Sequence, residues 1–465
     1  MDNQEVDSTE KKLVIERYGG WTLIVIFSII PILRALMIPE FTARLGTSYG
    51  ILSAIAKLAG TAGFVLYGIN LVLSIRKRWL ERYFSGLNKV YIAHHITGGI
   101  ALILLTMHPL FLALRYIVFG SWVTLKDAAE FLLPRTISMT QTFDVVNQQM
   151  AINNGFIAFG GMVVLLVLTF FIKLPYRVWL FTHKFLGPAF FFATLHVIFI
   201  SSSTSSDWFL KAYLSLWGVI GLVAFTYRTL FGSIFVRRHP FQVTRVLKLP
   251  KDTIAIDLTP IEDDVPFKAG QFVFVRFLWR KEQGILPEVH PFSIASAPSE
   301  GVVRLIVKSL GDFTKSLMNL PEGTVAEVEG AFGKFDYTRH ITSPQIWIGG
   351  GIGITPFMGM ASTLTTDSPQ VTLFYSVVNR QELIGQELFG SFVPKQSPKF
   401  TYVPFVTDET KTFINADFIA EKAGGLDGKE IFICGPPVMM KSLRKQLKAK
   451  GVPARRIHSE EFAMS

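Results

Sequence analysis

A membrane bundle of six α-helices, followed by a small antiparallel β-barrel and then a parallel α/β unit, is the fold class this sequence predicts. Three observations lead there. Six apolar runs, residues 21–38, 49–75, 90–119, 152–172, 178–200 and 208–231, are each long enough to cross ~30 Å of hydrocarbon as a helix. From about residue 239 the texture turns to short alternating segments between turn residues, such as 271–277 and 302–310, as in an antiparallel barrel. From about residue 345, strand-like stretches at 345–348, 371–378, 400–406 and 430–434 are each followed by helical or loop sequence, as in a parallel sheet. The expected parts are an N-terminal segment over 1–20, the bundle over 21–235, the barrel over 239–340 and the α/β domain over 341–465.

Composition agrees with a chain half in lipid. It has 465 residues, a mean hydropathy of +0.39 and only 17% charged residues, which argues against one water-soluble globule. The net charge of +11 does not point to nucleic acid, because the basic residues gather at the ends of apolar runs, where they anchor topology. Arg76, Lys77, Arg78, Arg82 and Lys89 lie between the second and third runs, Lys173 and Arg177 between the fourth and fifth, and Arg237 and Arg238 after the sixth. With the N-terminus inside, all three clusters fall on one side. The expectation is a multi-pass cell-membrane protein in contact with the lipid bilayer, with a cytoplasmic N-terminal segment, a cytoplasmic C-terminal half and the loop over 120–150 facing outward as a cap. The first seventeen residues are polar and charged and do not read as a signal peptide. The single cysteine, Cys434, excludes an intramolecular disulfide and a thiolate zinc cage.

The third run carries His94 and His108, and an ionisable side chain in lipid is costly unless it binds something. Their spacing of fourteen returns to within roughly 40° of the same helix face after a rise of about 21 Å. Neighbouring His95 is the rival ligand, but from it His108 lies about 140° around an ideal helix. The fifth run repeats the device with His183 and His196, thirteen apart, with Pro188 between them. A turn wound tightly beside the proline reduces the mismatch to roughly 80° at unchanged height. Neutral imidazole is the usual protein ligand of haem, so two pairs on two helices predict two bis-histidine haems, His94 with His183 and His108 with His196. No C-x-x-C-H occurs, so these are haem b, held without covalent attachment. The alternative is histidines that hydrogen-bond their neighbours in a transporter core. Arg115, on a similar face seven residues beyond His108, is placed either to pair with a haem propionate or to snorkel to the headgroups.

The soluble half carries three further motifs. The run His290, Pro291, Phe292, Ser293, Ile294, Ala295, Ser296 is a strand of small and hydroxylic residues against which a flat ring can lie, with Ser293 offering a hydrogen bond to its reactive nitrogen. The stretch from Lys308 through Gly311, Asp312, Phe313 and Thr314 joins strand to helix and can present backbone amides to a pyrophosphate. Gly349, Gly350, Gly351 and Gly353 follow a predicted strand. After them Thr355 is placed to cap, and Pro356 to open, a helix. This is not the Gly-x-Gly-x-x-Gly fingerprint, because proline stands in the third place. Cys434, Gly435 and Pro436 end a predicted strand at the carboxyl edge of the sheet, where Cys434 can touch a nicotinamide.

In this order the histidine pairs, HPFSIASAP, VKSLGDFT, GGGIGITPF and ICGPP resemble the ferric reductase and NADPH oxidase superfamily over nearly the whole chain. The resemblance implies a ferredoxin-reductase-type dehydrogenase behind the bundle. It places FAD along His290 to Ser296 and near Gly311 to Thr314, and NADPH at Gly349 to Pro356 and Cys434 to Pro437. It implies ligand spacings of fourteen and thirteen, which suit the two pairs. Members often end in an aromatic residue stacked on the flavin; here the candidate is Phe462, followed by Ala463, Met464 and Ser465. The N-terminus lacks the acidic spacing of calcium loops, so a compact prokaryotic member with no obligatory regulatory subunit is expected. At the end of the second α/β strand, Arg380 with Ser376 suits the 2′-phosphate of NADPH, although Glu382 is close. The expected activity is transfer of electrons from NADPH through FAD and two haems to molecular oxygen outside, giving superoxide. The alternatives are a ferric chelate or a periplasmic protein as acceptor.

Overall fold

The computed structural model describes residues 3–119, 133–135, 137, 142–202, 205–278, 284–384 and 399–460, and the chain divides into two units, Met1–Val236 and Arg237–Ser465. Most of the expected outer cap, and Phe462, lie outside the described residues.

The first unit is helical. Its longer helices are α1 (Asn3–Leu36), α2 (Ser48–Leu73), α3 (Leu87–Phe119), α4 (Phe143–Phe170), α5 (Tyr176–Lys184), α6 (Leu186–Phe199) and α7 (Trp208–Phe225). With α5 and α6 counted as one span, six are long and apolar enough to cross a membrane. Helices α1 and α4 begin well before residues 21 and 152, where their apolar runs start. Hydropathy marks the stretch that meets lipid, whereas a helix continues through polar residues as long as its backbone bonds close.

Helix α2 is the central one: 56% of its span is buried, against α3 on one side and α7 on the other. Small residues let the backbones approach, as in membrane bundles generally. A methyl group on Gly221 of α7 would stand 3.1 Å from the Gly68 Cα of α2, and buried Phe190 of α6 fills the space beside them, stacked on Phe64 at 5.0 Å. Polar bonds tie the remaining helices. The Tyr67 hydroxyl donates to the Leu186 carbonyl at 2.6 Å and Tyr213 to the Phe27 carbonyl at 2.7 Å. Arg34 of α1 grips Asp207 through both carboxylate oxygens, while Asp207 caps α7 by accepting from the Leu210 amide at 2.8 Å. The fifth span is broken at Phe185, whose amide bonds the Thr182 carbonyl three residues back. Pro188 explains the break, since its ring has no N–H and would clash with the carbonyl four residues earlier.

The second unit begins with six antiparallel strands in the order β4-β3-β6-β1-β2-β5: β1 (His239–Leu249), β2 (Thr253–Pro260), β3 (Phe272–Phe277), β4 (His290–Ser293), β5 (Val303–Lys308) and β6 (Val325–Phe332). A bridge between Ile294 and Leu305 joins the two outer strands and curls the sheet into a barrel around Phe241, Ile256, Val275 and Leu305. A short helix α8 (Asp312–Ser316) follows β5. Next comes a five-stranded parallel sheet ordered β11-β10-β7-β8-β9, with β7 (Gln345–Gly350), β8 (Val371–Val377), β9 (Phe400–Val406), β10 (Glu430–Cys434) and β11 (Ile457–Glu460). Helices α9 (Thr355–Ala361), α10 (Ala416–Ala423) and α11 (Pro437–Ala449) connect it. Strand β11 was not expected, because four residues including His458 and Ser459 give no apolar run. It forms by pairing alongside β10.

Candidate functional site: two imidazole pairs and a nucleotide fold

The four predicted histidines meet in two pairs. His94 of α3 faces His183 of α5 with ring centroids 6.2 Å apart, and His108 faces His196 of α6 at 6.3 Å. Metal–imidazole bonds of about 2.0–2.1 Å and ring half-widths of about 1.1 Å put two centroids about 6.3 Å apart across one iron. Both pairs therefore have the spacing of a bis-histidine haem. His95 is exposed, and its backbone neighbour His94 takes the inward position.

The tautomers are fixed as well. Nδ1 of His94 donates to the Asn70 carbonyl at 3.1 Å, that of His108 to Ala56 at 2.8 Å, and that of His196 to Ala151 at 2.8 Å. A carbonyl only accepts, so each Nδ1 carries the proton and each Nε2 keeps its lone pair for a metal. His183 does the same less tightly. The Thr169 hydroxyl spends its proton on the Leu165 carbonyl at 2.8 Å and accepts from Nδ1 at 3.4 Å. The donor set thus fits two haems.

Room for the His108–His196 pair comes from one device used twice. Gly60 follows Ala56 by one helical turn and Gly155 follows Ala151 likewise. A methyl at Gly60 would stand 2.6 Å from His108 Nδ1, and one at Gly155 2.8 Å from His196 Nδ1. The His94–His183 pair leans on Asn70 instead, whose amide nitrogen donates to the His94 carbonyl and to the Thr97 hydroxyl at 2.9 Å. Sequence reasoning missed all of these. Asn70 carried a signal, a lone amide within an apolar run, but the backbone acceptors carry none. Arg115 donates to the Ser53 hydroxyl at 3.1 Å and lies over the Tyr49 ring.

In the barrel, Phe272, Val273, Phe274 and Val275 of β3 pair in order with Ser293, Phe292, Pro291 and His290 of β4. His290 stacks on buried Phe313 at 4.0 Å and bonds Glu288 at 2.8 Å. Ser293 is half-buried on this strand. Ser296 is fully buried, and its hydroxyl bonds the Val302 carbonyl at 2.7 Å and the Arg304 amide at 3.1 Å, which shapes the turn. At the start of α8, beside Asp312, the Thr314 hydroxyl already accepts the Leu310 and Gly311 amides at 2.9 and 3.0 Å, which takes two of the expected pyrophosphate donors. Lys308 pairs with Glu382 at 3.4 Å.

The two glycine-bearing strand ends meet where the parallel sheet reverses its winding, between β7 and β10, with Gly349 in register with Cys434. Open α/β sheets bind ligands in this crevice. A methyl on Gly353 would collide with the Cys434 carbonyl at 2.4 Å, and one on Gly350 with Met439 at 2.5 Å and Pro436 at 3.0 Å, while Gly435 packs back onto Gly350. These glycines lock the two turns together. Gly351, at φ +54°, has open space instead. The expected cap is corrected: Thr355 lies inside the helix, where its buried hydroxyl donates to the Ile352 carbonyl at 2.7 Å, because a 3₁₀ turn over Gly351–Ile354 has already opened the helix. Pro356 sits in the first turn, where its missing N–H costs nothing. Cys434 is buried, and burial followed by the nearby Glu460 pushes its thiol well above the usual range. Ser376 lies between Gly350 and Phe405, and Arg380 is held by Glu409 through two bonds of 2.7 Å.

Three known families match in series: ferric reductase like transmembrane component over residues 59–194, FAD-binding domain over 238–350 and oxidoreductase NAD-binding domain over 347–445. The phenol hydroxylase P5 protein of Acinetobacter pittii is 28% identical over 43% of this chain and 59% of its own length. The toluate 1,2-dioxygenase electron transfer component of Pseudomonas putida is 24% identical over 48% of this chain and 67% of its own. The chain spans roughly three fifths of the length of the curated relatives it matches. Among solved structures, a flavohemoglobin from Malassezia yamatoensis aligns at 17% identity and a TM-score of 0.49, over 89% of this chain and 96% of its own. A ferredoxin reductase of carbazole 1,9a-dioxygenase aligns at 23% and 0.40, over 49% and 69%. Six apolar helices, a curled antiparallel sheet and a parallel sheet, carrying these three matches in this order, make the chain a multi-pass membrane oxidoreductase with the ferric reductase/NADPH oxidase-like architecture.

Proposed function

We propose that this chain is a transmembrane NADPH oxidase that passes electrons from NADPH through FAD and two b-type haems to molecular oxygen outside the membrane, producing superoxide. The observation that carries the reading is the pair of imidazole couples, each at one-iron spacing with its Nδ1 proton anchored on the far side. When bound, the nicotinamide and flavin supply a two-electron donor and a carrier that releases electrons singly, and the haems carry single electrons through the lipid. His94, His183, His108 and His196 would hold the irons. Two imidazoles per iron leave no open position, which favours an acceptor that does not coordinate.

In the soluble unit, the strand from His290 to Ser293 would support the flavin, with His290 kept in place by Glu288 and Phe313. The locked turns at Gly353 and Cys434 would shape the nicotinamide crevice. Arg380 would bind the 2′-phosphate in exchange for Glu409, giving NADPH preference over NADH. The basic clusters favour an N-terminus and a dehydrogenase on the cytoplasmic side.

A second reading, a ferric-chelate reductase with the same electron path, is favoured by the match of residues 59–194 to a ferric reductase like component. The test is purified protein given NADPH and FAD, with oxygen uptake and superoxide-dismutase-sensitive cytochrome c reduction measured beside ferric-chelate reduction. Superoxide at the rate of NADPH oxidation supports the first reading. Chelate reduction without it supports the second, and neither, with haem reduced by NADPH, points to a periplasmic protein acceptor.

A further inference from the structure

At the amino-terminal edge of the parallel sheet, opposite the nucleotide crevice, three side chains from distant parts of the chain converge. Glu430 opens β10, His458 lies on neighbouring β11, and His340 ends the 3₁₀ turn Tyr337–His340 ahead of β7. His458 Nε2 is 2.7 Å and His340 Nδ1 3.7 Å from the same oxygen of Glu430, and the two imidazoles lie 4.4 Å apart. All three donor atoms fall within 4.8 Å of one another. We infer that His340, Glu430 and His458 form a binding site for a divalent cation of the zinc class, with two imidazole nitrogens and one carboxylate oxygen from the protein and water completing the shell.

The donor chemistry is that of known two-histidine, one-glutamate sites. The cluster is also held in place before any ion arrives. The Gln345 amide donates to the His340 carbonyl at 3.0 Å, the Glu430 amide to the Pro344 carbonyl at 3.0 Å, and Phe432 packs on the His458 ring at 4.6 Å.

Binding replaces the proton that His458 shares with Glu430. That nitrogen and oxygen, now 2.7 Å apart, must separate to about 3.3 Å, the edge of a tetrahedron with bonds of about 2.0–2.1 Å. Three further charges face the cluster: Arg456 lies 3.7 Å from the other Glu430 oxygen, and Arg339 and Asp336 act on His340 with opposite signs. Occupancy of the site would staple β11 to β10 and to the turn ahead of β7.

The test uses the full chain in detergent, stripped with EDTA and desalted, then titrated with ZnCl2 by calorimetry. The expected result is one equivalent bound and a raised melting temperature. His458→Asn and Glu430→Gln each weaken binding by about 100-fold or more, beyond the 10–100-fold that loss of an outer partner costs, with bound FAD retained. Zinc K-edge X-ray absorption on the unmutated protein gives a readout independent of how the variants fold, and two imidazoles should be visible in it. No saturable binding at about 100 µM zinc, undiminished affinity in both variants, or a zinc shell without imidazole overturns the site.

Discussion

Replacing Gly60 with alanine tests the proposed haem site at His108 and His196 most sharply, because two physical effects give opposite expectations. By helix propensity alone, Gly→Ala in a helix interior stabilises by ~1 kcal/mol. At Gly60, however, the added methyl would stand 2.6 Å from His108 Nδ1, against an ordinary contact of 3.4 Å or more. The ring must retreat by 0.8 Å, the difference between those two distances. Metal–ligand distances tolerate about ±0.2 Å, so the imidazole cannot retreat that far and stay bonded. Its bond to the Ala56 carbonyl is also lost, and an unsatisfied buried donor costs about 1–3 kcal/mol. On the proposed reading, the expected outcome is that haem per polypeptide, measured as the pyridine haemochromogen, falls from two toward one, with the His94–His183 site retained. Gly155→Ala, at 2.8 Å from His196 Nδ1, should do the same. Gly160→Ala on the same helix α4 is the control, since nothing lies within 4 Å of its added methyl. Full haem content and an unchanged Soret band in Gly60→Ala, or equal loss in Gly160→Ala, would refute the reasoning.

In the nucleotide domain, Arg380→Ala should cut selectivity for NADPH over NADH at least about tenfold, whereas Glu409→Gln, which frees the guanidinium, should lower KM for NADPH and leave that for NADH alone. Unchanged ratios in steady-state kinetics with both nucleotides would contradict this assignment. Gly353→Ala drives a methyl against the Cys434 carbonyl and parts the two turns; NADPH-dependent flavin reduction should be lost in stopped-flow traces while the Soret band stays intact. Cys434, buried and with its thiol pushed up, should resist iodoacetamide at pH 8 and react only after denaturation, as counted by mass spectrometry. Rapid labelling of the native protein would place the thiol in the open.

The membrane half was legible because lipid is an unforgiving solvent. Apolar runs reveal spans, and His94, His108, His183 and His196 stand out as polar exceptions. What holds those rings was not legible. The acceptors at Ala56, Ala151 and Asn70 are backbone carbonyls, and any residue has one. In the soluble half the motif glycines were visible, but their division of labour was not. Gly353 serves packing against Cys434 while Gly351 meets open space, and Thr355 bonds inside the turn it was expected to cap.

By itself, then, the sequence determined which segments enter lipid, which four imidazoles lie there, and that a strand-rich and a parallel α/β part follow. Periodicity and polarity are local properties, written within one or two turns of chain. Only the tertiary structure decided what meets across the chain: the 6.2 and 6.3 Å imidazole pairings, the contact of Gly353 with Cys434, and the convergence of His340, Glu430 and His458. Those depend on helix crossings, sheet order and strand register, which the packing of the whole chain sets.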